Sequence, residues 1–225
     1  KFKKRDGMLT GKFISFEGPD GAGKTTALNS IVADLTPQLN DNLVVTREPG
    51  GNRISEAIRD IILDRKNTEM DDRTEALLYA AARRQHIVET IMPALKSGKM
   101  VLCDRYVDSS VAYQGAGREI GVDEVYQMNL FATAGLLPDL TIYFDVPSEI
   151  GLRRIMTHRT DEINRLDVEQ LSFHKRVRAS YLKIAEQNPQ RIQVIDATQS
   201  KAKVVSDVEK IIYQANKGLF NKSGE

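Results

Sequence analysis

The stretch from Gly18 to Thr25 has the residue types and the spacing of a phosphate-binding loop. It reads GPDGAGKT and matches the pattern G-x-x-x-x-G-K-S/T between an apolar run and a helical pattern. Glycines let such a loop bend and bring successive N–H groups against phosphate oxygens. We expect Lys24 to reach the β- and γ-phosphates of a nucleoside triphosphate and the Thr25 hydroxyl to hold Mg²⁺. The residues expected to contact this nucleotide are Gly18, Pro19, Asp20, Gly21, Ala22, Gly23, Lys24, Thr25 and Thr26.

Strand-like and helix-like segments alternate along the chain, which predicts an α/β fold with a parallel sheet covered by helices. Five short apolar runs are the candidate strands: Phe13–Glu17, Leu43–Arg47, Met100–Asp104, Leu140–Asp145 and Ile192–Asp196. Ligands of open parallel sheets bind beyond the carboxyl ends of the strands. The phosphate-binding loop, the polar stretches 47–51 and 104–106, and Asp145 all fall at those ends. The sequence therefore predicts one cleft along this edge.

Helical patterns connect the candidate strands. The first helix is expected to begin at Gly23 or Lys24 and to end before Pro37. Four isoleucines at 54, 58, 61 and 62 have the spacing of one helix face. A long helix is expected from about Asp72 to Lys96, with Pro93 as a candidate kink. The other predicted helices are Ser109–Tyr113, Val122–Ala134, Ser148–His158, Val168–Gln187 and Lys201–Lys217.

A chain of 225 residues, 41% of them hydrophobic, is long enough for one α/β domain with a sizeable core. We expect that domain to span 12–217, with 1–11 as a tail or remnant and 218–225 as a frayed end. The net charge of +1 argues against a basic surface for nucleic acid, and no run approaches the ~18 apolar residues of a membrane span. The single cysteine, Cys103, excludes an internal disulfide framework and suits the reducing cytoplasm.

Four spaced motifs agree in order with one enzyme family. They are Gly18–Thr26, Thr46–Gly51, Leu77–His86 and Asp104–Gly115. Together they closely resemble thymidylate kinase of the bacterial type. The resemblance implies the P-loop nucleoside-monophosphate-kinase fold, with a five-stranded parallel sheet, helices on both faces and a mobile lid. It also implies phosphoryl transfer from ATP to dTMP, giving dTDP and ADP for dTTP synthesis, in a cytoplasmic homodimer.

Transfer between two polyanions requires cations that converge at one edge of the sheet. The candidates are Lys24, Arg47, Arg59, Arg105 and the arginines of 153–165. The resemblance puts Arg59 on the acceptor phosphate, and Arg105 follows a buried strand where a bidentate guanidinium suits a phosphate. Asp104 is expected beside Mg²⁺, directly or through water, or alternatively as a helix cap. An acceptor phosphate is already ionised near neutral pH, so we predict direct in-line transfer without a strong general base.

The remaining candidates concern recognition of the acceptor. Thymine offers a flat face, carbonyl acceptors and an N3 donor, which suit Tyr79 as a stacking ring, Arg83 as a donor and Gln114 as the amide that pairs with N3. Tyr79 and Arg83 are four residues apart and share one helix face. The resemblance implies that Asp20 bonds the 3′-hydroxyl and that Tyr113 lies under the deoxyribose. The expected substrate-binding set also includes Arg47, Glu48, Arg105, Ser109 and Ser110.

The polar stretch 157–165 lies between two predicted helices and is expected to be the lid. The phosphate-binding loop has no extra arginine between Gly18 and Gly23, and in the bacterial type the lid supplies one. Arg159 or Arg165 is therefore expected to stabilise the transferring phosphoryl group, with Arg153 and Arg154 as open alternatives. Two other functions also stay open at this point: a kinase for another nucleotide, such as UMP or CMP, and a nucleotide-dependent switch.

Overall fold

The computed structural model describes residues 9–158, 166 and 169–216. Its strands are β1 (Lys12–Glu17), β2 (Leu43–Arg47), β3 (Met100–Asp104), β4 (Leu140–Asp145) and β5 (Ile192–Asp196). They form one sheet in the order β2-β3-β1-β4-β5, and every adjacent pair is parallel. The predicted five-stranded parallel sheet is confirmed, and only β1 differs from its predicted bounds, by one residue.

Helices connect the strands, as parallel pairing requires. Within the described ranges the α-helices are α1 (Lys24–Leu39), α2 (Arg53–Leu63), α3 (Asp72–His86), α4 (Met92–Lys96), α5 (Val107–Ser110), α6 (Val122–Thr133), α7 (Ser148–His158), α8 (Leu171–Gln187) and α9 (Lys201–Ala215). A 3₁₀ turn at Asn40–Asn42 precedes β2, and π-helical turns span Ile87–Ile91 and Val111–Gly117. None of the described helices is both long and apolar enough to cross a membrane.

Side chains alternate between the two faces of the sheet, and helices cover both faces. On one face, Ile14 and Phe16 pack against residues of α1 and α9. On the other, Phe13 packs against the π-helical turn Ile87–Ile91 and the start of α5, while Tyr143 packs against α8. The buried strands are therefore apolar on both sides, which explains why they read as continuous apolar runs.

The strand order reverses about β1. From β1 the chain first builds β2 and β3 on one side of it, and then β4 and β5 on the other side. In parallel sheets, the crevice at such a reversal, beyond the carboxyl ends of the strands, is the usual ligand site. The phosphate-binding loop leaves β1 at this point.

α1 continues through Pro37 to Leu39, although the sequence predicted that it would end before Pro37. Leu35 and Leu39 are both buried in the core that α1 shares with the sheet. Their packing keeps the last turn helical even though Pro37 lacks an amide hydrogen.

The predicted helix from Asp72 to Lys96 is helical over its whole length, but the turn at Ile87–Ile91, just before Pro93, is π-helical. α3 ends at His86, and the π-helical turn Ile87–Ile91 leads into α4. Pro93 lies in the first turn of α4, where a missing N–H costs little. The buried side chains of Ile87 and Ile91 hold the wider turn against the sheet.

Residues 9–11 are part of the packed structure, whereas the sequence predicted a tail that extends to residue 11. Leu9 packs against the core cluster around Phe13, and the Gly11 N–H donates to the carbonyl of Leu95 at 3.0 Å. One partly buried leucine forms no periodic pattern, so nothing in the sequence indicated that this segment packs against the core.

Candidate active site

The phosphate-binding loop, residues 18–25, joins β1 to α1 and bends at its glycines. Gly18 has a φ of 145°, and a Cβ there would lie 2.6 Å from the carbonyl oxygen of Phe144. Gly23, with a φ of 81°, precedes α1, whose first turn has neither an acidic residue nor a side-chain cap. The N–H groups at this helix end are therefore left for an anion, which the helix dipole also favours.

Lys24 is buried at the start of α1, and its side chain folds back over the loop. Its Nζ donates to the carbonyl oxygens of Gly18 at 2.8 Å and Pro19 at 3.0 Å. Burial, followed by the positive charge of Arg105, lowers the pKa of Lys24 to about 8. A bound polyanion would reverse this shift, because a nearby negative charge favours the ammonium form.

Arg105 directly follows β3, and its backbone is left-handed, with a φ of 69°. Its N–H donates to the carbonyl of Phe16 at 2.9 Å, so β1 holds this turn. Its Nη1 donates to Ser109 Oγ and its Nη2 to Asp20 Oδ1, both at 3.1 Å, and its guanidinium lies 5.0 Å from the Tyr113 ring centre. Burial opposes the charged form, but neighbours led by Tyr113 and Asp20 outweigh it and raise the pKa of Arg105. Arg105 is therefore a fixed positive charge inside the cleft.

Thr25 and Asp104 form the candidate metal site. The Thr25 hydroxyl donates to Asp104 Oδ2 at 3.4 Å. The other oxygen, Asp104 Oδ1, is enclosed and accepts no hydrogen bond from any described residue. An enclosed carboxylate oxygen without a donor, next to a hydroxyl, fits a hard cation such as Mg²⁺, which takes oxygen ligands from protein, water and phosphate together. The predicted alternative, a helix cap, receives no support from these contacts.

Arg47 and Arg59 lie at another part of the cleft, and each already has a partner. Arg47 forms an exposed ion pair with Glu56 at 2.9 Å. Arg59 is half-buried, and its Nη1 donates to the carbonyl of Pro49 at 2.9 Å. Burial and then the charge of Arg47 lower the pKa of Arg59. An anion between the two guanidinium groups would relieve that repulsion.

Arg83 lies at the centre of a buried polar cluster. Its Nε donates to Glu48 Oε2 at 2.6 Å, its Nη1 donates to Ser110 Oγ at 3.1 Å and to Asn129 Oδ1, and its Nη2 donates to the carbonyl of Tyr106 at 3.1 Å. A guanidinium has five N–H groups. With respect to the described residues, one N–H on Nη2 is left for a ligand.

Glu48 borders the cleft with both carboxylate oxygens engaged. Oε2 accepts from Arg83, and Oε1 lies 2.9 Å from His86 Nδ1. The other ring nitrogen of His86 lies 2.7 Å from the Thr46 hydroxyl. Glu48 therefore orients Arg83, and any contact that it makes with a substrate has to share an oxygen with these partners.

Tyr79, Tyr113 and Gln114 line the same cavity as Arg83. Tyr79 lies on α3 one turn before Arg83, while Tyr113 and Gln114 lie on the π-helical turn after α5. The Tyr113 hydroxyl donates to Asp20 Oδ2 at 3.3 Å, and Gln114 Nε2 donates to Glu75 Oε1 at 2.8 Å. Burial raises the pKa of both tyrosines, so both hydroxyls stay protonated near neutral pH.

One cavity of about 760 Å³ joins these groups. The sequence-predicted residues that line it are Asp20, Gly21, Gly23, Lys24, Thr25, Thr26, Arg47, Glu48, Arg59, Tyr79, Arg83, Asp104, Arg105, Ser109, Ser110, Tyr113, Gln114 and the alternative transfer arginine Arg154. A second cavity of about 410 Å³ adjoins the other side of the loop and is lined by Gly21, Ala22, Gly23, Thr26, Arg154, Ala197, Gln199 and Lys201, among others. Gly18 and Pro19 line neither cavity and instead hold the Lys24 amine.

Comparison with known proteins decides the family. The sequence model of the thymidylate kinase family matches residues 16–208. This chain belongs to the thymidylate kinase family. A thymidylate kinase of Lactiplantibacillus plantarum is 67% identical over 217 residues, which cover 94% of this chain and 98% of that protein. One from Pediococcus pentosaceus is 67% identical over 206 residues, which cover 92% and 99%.

A solved thymidylate kinase structure, from Ehrlichia chaffeensis, superposes on this fold with a TM-score of 0.73 at 33% identity, and the match covers 90% of this chain and 98% of that one. The predicted P-loop nucleoside-monophosphate-kinase fold is therefore confirmed. Membership of the thymidylate kinase family makes the chain an enzyme of the ATP:dTMP phosphotransferase class, which acts in nucleotide synthesis. A nucleotide-dependent switch is thereby set aside.

Sequence reasoning about this thymidylate kinase missed Glu17. Its buried carboxylate accepts from the Tyr106 N–H at 2.7 Å, from the Ser109 hydroxyl at 2.5 Å and from the Tyr181 hydroxyl at 2.9 Å. Burial and then the charge of Asp108 raise the pKa of Glu17 to about 7. The available signal was a glutamate at the end of an otherwise apolar strand, directly before the phosphate-binding loop.

The predicted lid, 157–165, lies mostly outside the described residues. Arg159 and Arg165, the two predicted lid arginines, are both among those outside. Arg154 of α7 is described, and its Nη1 donates to the carbonyl oxygens of Ala197 at 3.1 Å and Gly21 at 3.3 Å. Arg154 therefore ties α7 to the loop and to the second cavity.

Proposed function

We propose that this thymidylate kinase transfers the γ-phosphoryl group of ATP directly to the phosphate of dTMP, with Mg²⁺ bound and without a covalent enzyme intermediate. One observation carries this proposal. A single cavity is lined both by the phosphate-binding loop and by a ring, a guanidinium and an amide of the types that read a pyrimidine. Two nucleotides in that cavity would meet at the loop, phosphate to phosphate.

The donor ATP is proposed to lie across the phosphate-binding loop. Its triphosphate would accept hydrogen bonds from the N–H groups at the start of α1 and from the Lys24 ammonium. Lys24 would then bind phosphate oxygens instead of the loop carbonyls that it contacts in the structure. The second cavity would receive its base, because that cavity adjoins the loop and has Arg154 and Gln199 in its wall. An Arg side chain there can stack on an aromatic ring.

Mg²⁺ is proposed to bind at Thr25 and Asp104. Bound there with ATP, it would neutralise phosphate charge and orient the transferring group. The unpartnered oxygen of Asp104 is the feature that supports this assignment. The protein's own part is to hold the Thr25 hydroxyl and this carboxylate on one side of the triphosphate.

The acceptor dTMP is proposed to lie between α3 and the π-helical turn Val111–Gly117. Tyr79 would stack on thymine, Arg83 would donate its free N–H to the base, and Tyr113 and Asp20 would meet the deoxyribose. Arg59, Arg47 and Arg105 would take the acceptor phosphate. The cations align two anionic groups and lower their repulsion, which is the main demand of phosphoryl transfer.

The proposed enzyme acts as one domain with a lid. Arg159 or Arg165, both in the predicted lid, would close over the transferring phosphoryl group. A homodimer is supported by large apolar side chains that stay exposed on two helices in contact with each other, α3 and α6, and on the turn after α3. Leu77 of α3 is 59% exposed, Val88 of the turn is 44% exposed, and Phe131 of α6 is 88% exposed. A cytoplasmic location is supported by the single cysteine, Cys103, which is free, because a chain with one unpaired thiol suits a reducing compartment.

The test is a coupled ATP assay with dTMP, dUMP, UMP and CMP as parallel acceptors. We expect ADP release to depend on the acceptor and to be fastest with dTMP, with no turnover when Mg²⁺ is chelated. ADP release that is independent of any nucleoside monophosphate, or that is faster with CMP, would contradict the proposed function.

A further inference from the structure

The side chain of Gln114 has one end fixed and one end open. Gln114 lies on the π-helical turn Val111–Gly117, is only 2% exposed, and lines the large cavity. Its Nε2 donates to Glu75 Oε1 at 2.8 Å. Its carbonyl oxygen accepts no hydrogen bond from a described residue, and it is not among the enclosed unpartnered atoms of the described chain. That oxygen therefore meets the open space of the cavity.

Glu75 is fully buried on α3, on the same face as Tyr79 and Arg83, at a spacing of four residues. Arg118 holds it from the far side. Arg118 Nη2 lies 3.2 Å from Glu75 Oε2, and Arg118 Nε lies 3.4 Å from Glu75 Oε1. The Arg118 guanidinium also lies 5.2 Å from the centre of the Phe173 ring. The buried carboxylate therefore has a charge partner and a fixed position.

Arg118 is itself held as a cation. It pairs with Glu169 at 2.5 Å and with Asp72 at 3.3 Å, in addition to Glu75. Burial disfavours its charge, but Glu75 and Glu169 outweigh that effect and raise the pKa of Arg118. Arg118 thus joins three carboxylates of the described chain, and one of them, Glu75, accepts from the Gln114 amide.

An ionised carboxylate can only accept hydrogen bonds, whereas an amide has one end that donates and one end that accepts. Because Glu75 accepts, the NH₂ end of Gln114 must face it and the carbonyl end must face the cavity. A carbonyl oxygen can accept the N3–H of thymine or uracil. It would oppose the N3 lone pair of cytosine, and a site that leaves buried polar groups unpaired rejects the wrong ligand strongly.

We propose that Glu75 is a positioning residue that sets the base specificity of this enzyme by fixing which end of the Gln114 amide faces the acceptor base. This inference rests on the proposed function, in which the acceptor base occupies the cavity between α3 and Gln114. Arg118 keeps the Glu75 carboxylate in place, and the site therefore selects a base with a donor at N3.

The decisive variant is Glu75→Gln, which keeps the size of the side chain but provides both a donor and an acceptor. The Gln114 side-chain amide can then rotate by about 180° and present its NH₂ end to the cavity. We expect the KM for dTMP to rise about tenfold, the cost of one buried hydrogen bond, with kcat changed little. The preference for dUMP over dCMP, measured by kcat/KM or by competitive inhibition, should narrow about tenfold, because these two bases differ only at N3 and position 4.

A double-mutant cycle separates positioning from general structural support. In a Gln114→Leu background the Glu75→Gln change should cause no further rise in KM and no change in the dUMP:dCMP ratio, because the amide through which Glu75 acts is gone. Asp72→Asn is the matched control, since Asp72 also pairs with Arg118 from α3, whereas the Gln114 amide donates to Glu75. We expect Asp72→Asn to retain the wild-type ratio.

The outcomes are distinct. A folded Glu75→Gln variant with the wild-type dUMP:dCMP ratio, or with the same loss in the Gln114→Leu background, overturns the role of Glu75 alone. If wild-type enzyme does not phosphorylate dTMP, the proposed function fails first. If Glu75→Gln does not fold, a wild-type crystal with dTMP decides: Gln114 must stay on Glu75 with its carbonyl within 3.2 Å of N3, and any other N3 partner overturns the proposal.

Discussion

The Glu17 carboxylate and the Tyr106 backbone N–H are hydrogen bonded at 2.7 Å, which ties the end of β1 to the turn that carries Arg105. The second oxygen of Glu17 accepts from Ser109 and Tyr181, and Arg105 Nη1 donates to Ser109 in turn. Glu17 therefore supports Arg105, the arginine proposed to bind phosphate, from beneath, although Glu17 contacts no substrate in the proposed arrangement.

Glu17→Gln tests this support. A neutral amide at this site cannot accept all three donors, so we expect Arg105 to lose its fixed position and kcat to fall about tenfold or more, in line with a poorly positioned cation. Steady-state kinetics with dTMP and ATP measure the effect. Glu186→Gln, at an exposed site on α8, is the control and should keep normal turnover. Wild-type kcat in the Glu17 variant would show that Arg105 is held without this carboxylate.

Glu17 also predicts how stability depends on pH. Its folded pKa of about 7 lies above the ordinary value of 4.5, so between these values the folded state binds more protons than the unfolded state. The stability that this group contributes is full below about pH 4.5 and is lost as the pH rises through about 7. Urea unfolding from pH 5 to 8 should show wild type losing about 2 kcal/mol more than Glu17→Gln. Parallel pH profiles for the two proteins would contradict the shift.

Lys24 predicts a pH dependence of ATP binding. Its pKa of about 8 in the free enzyme means that the ammonium loses its proton as the pH rises through 8, while a bound triphosphate would favour the protonated form. ATP affinity, measured by calorimetry, should therefore fall by about tenfold per pH unit well above pH 8. In Lys24→Ala this decline should vanish, and turnover should drop at least about a hundredfold. An unchanged decline in the variant would assign the titration to another group.

The buried pair of Asp108 and Arg191 predicts a large effect on stability. Arg191 Nη1 and Nη2 donate to the two Asp108 oxygens at 2.6 and 2.9 Å, and Asp108 is 3% exposed. Arg191→Met leaves the carboxylate buried without its cation, so we expect the free energy of unfolding to fall by about 3–5 kcal/mol in urea titration. A double variant, Asp108→Leu with Arg191→Met, removes both charges and should recover most of that loss. If the single variant Arg191→Met and the double variant were equally stable, the unpaired buried charge of Asp108 would be ruled out as the cause of the loss.

The exposed apolar side chains of α3 and α6 predict the oligomeric state. The described chain leaves most of the Leu77 and Phe131 side chains exposed, and burying them against a second copy of the chain would stabilise a dimer. Sedimentation should give a dimer for wild type and a monomer for Phe131→Asp combined with Leu77→Asp. Met156→Asp on α7, also an exposed apolar side chain, is the control and should remain dimeric. A monomeric wild-type protein would contradict the proposed homodimer.

Local sequence was sufficient to predict the strands and the edge of the cleft. The three inner strands, β3, β1 and β4, are short apolar runs because they are buried on both faces, and the polar residues that follow the strands must share one edge of a parallel sheet. Helix boundaries were less predictable. Pro37 lies inside α1, because the buried leucines of the last turn outweigh the local preference of proline. The helical hydrogen bonds widen to a π-helical turn at Ile87–Ile91, where buried isoleucines pack against the sheet.

The sequence by itself determined the family, the parallel sheet and the residue types that handle phosphates, since these depend on spacing within a loop or within one strand. Tertiary structure alone decided which polar groups hold those residues in place. Glu17 and Tyr181 are 164 positions apart in the chain, and Glu75 and Gln114 are 39 apart, yet each pair is hydrogen bonded. Such contacts have no local period, because they arise only when the packing of helices on the sheet brings buried polar groups together and each must find a partner.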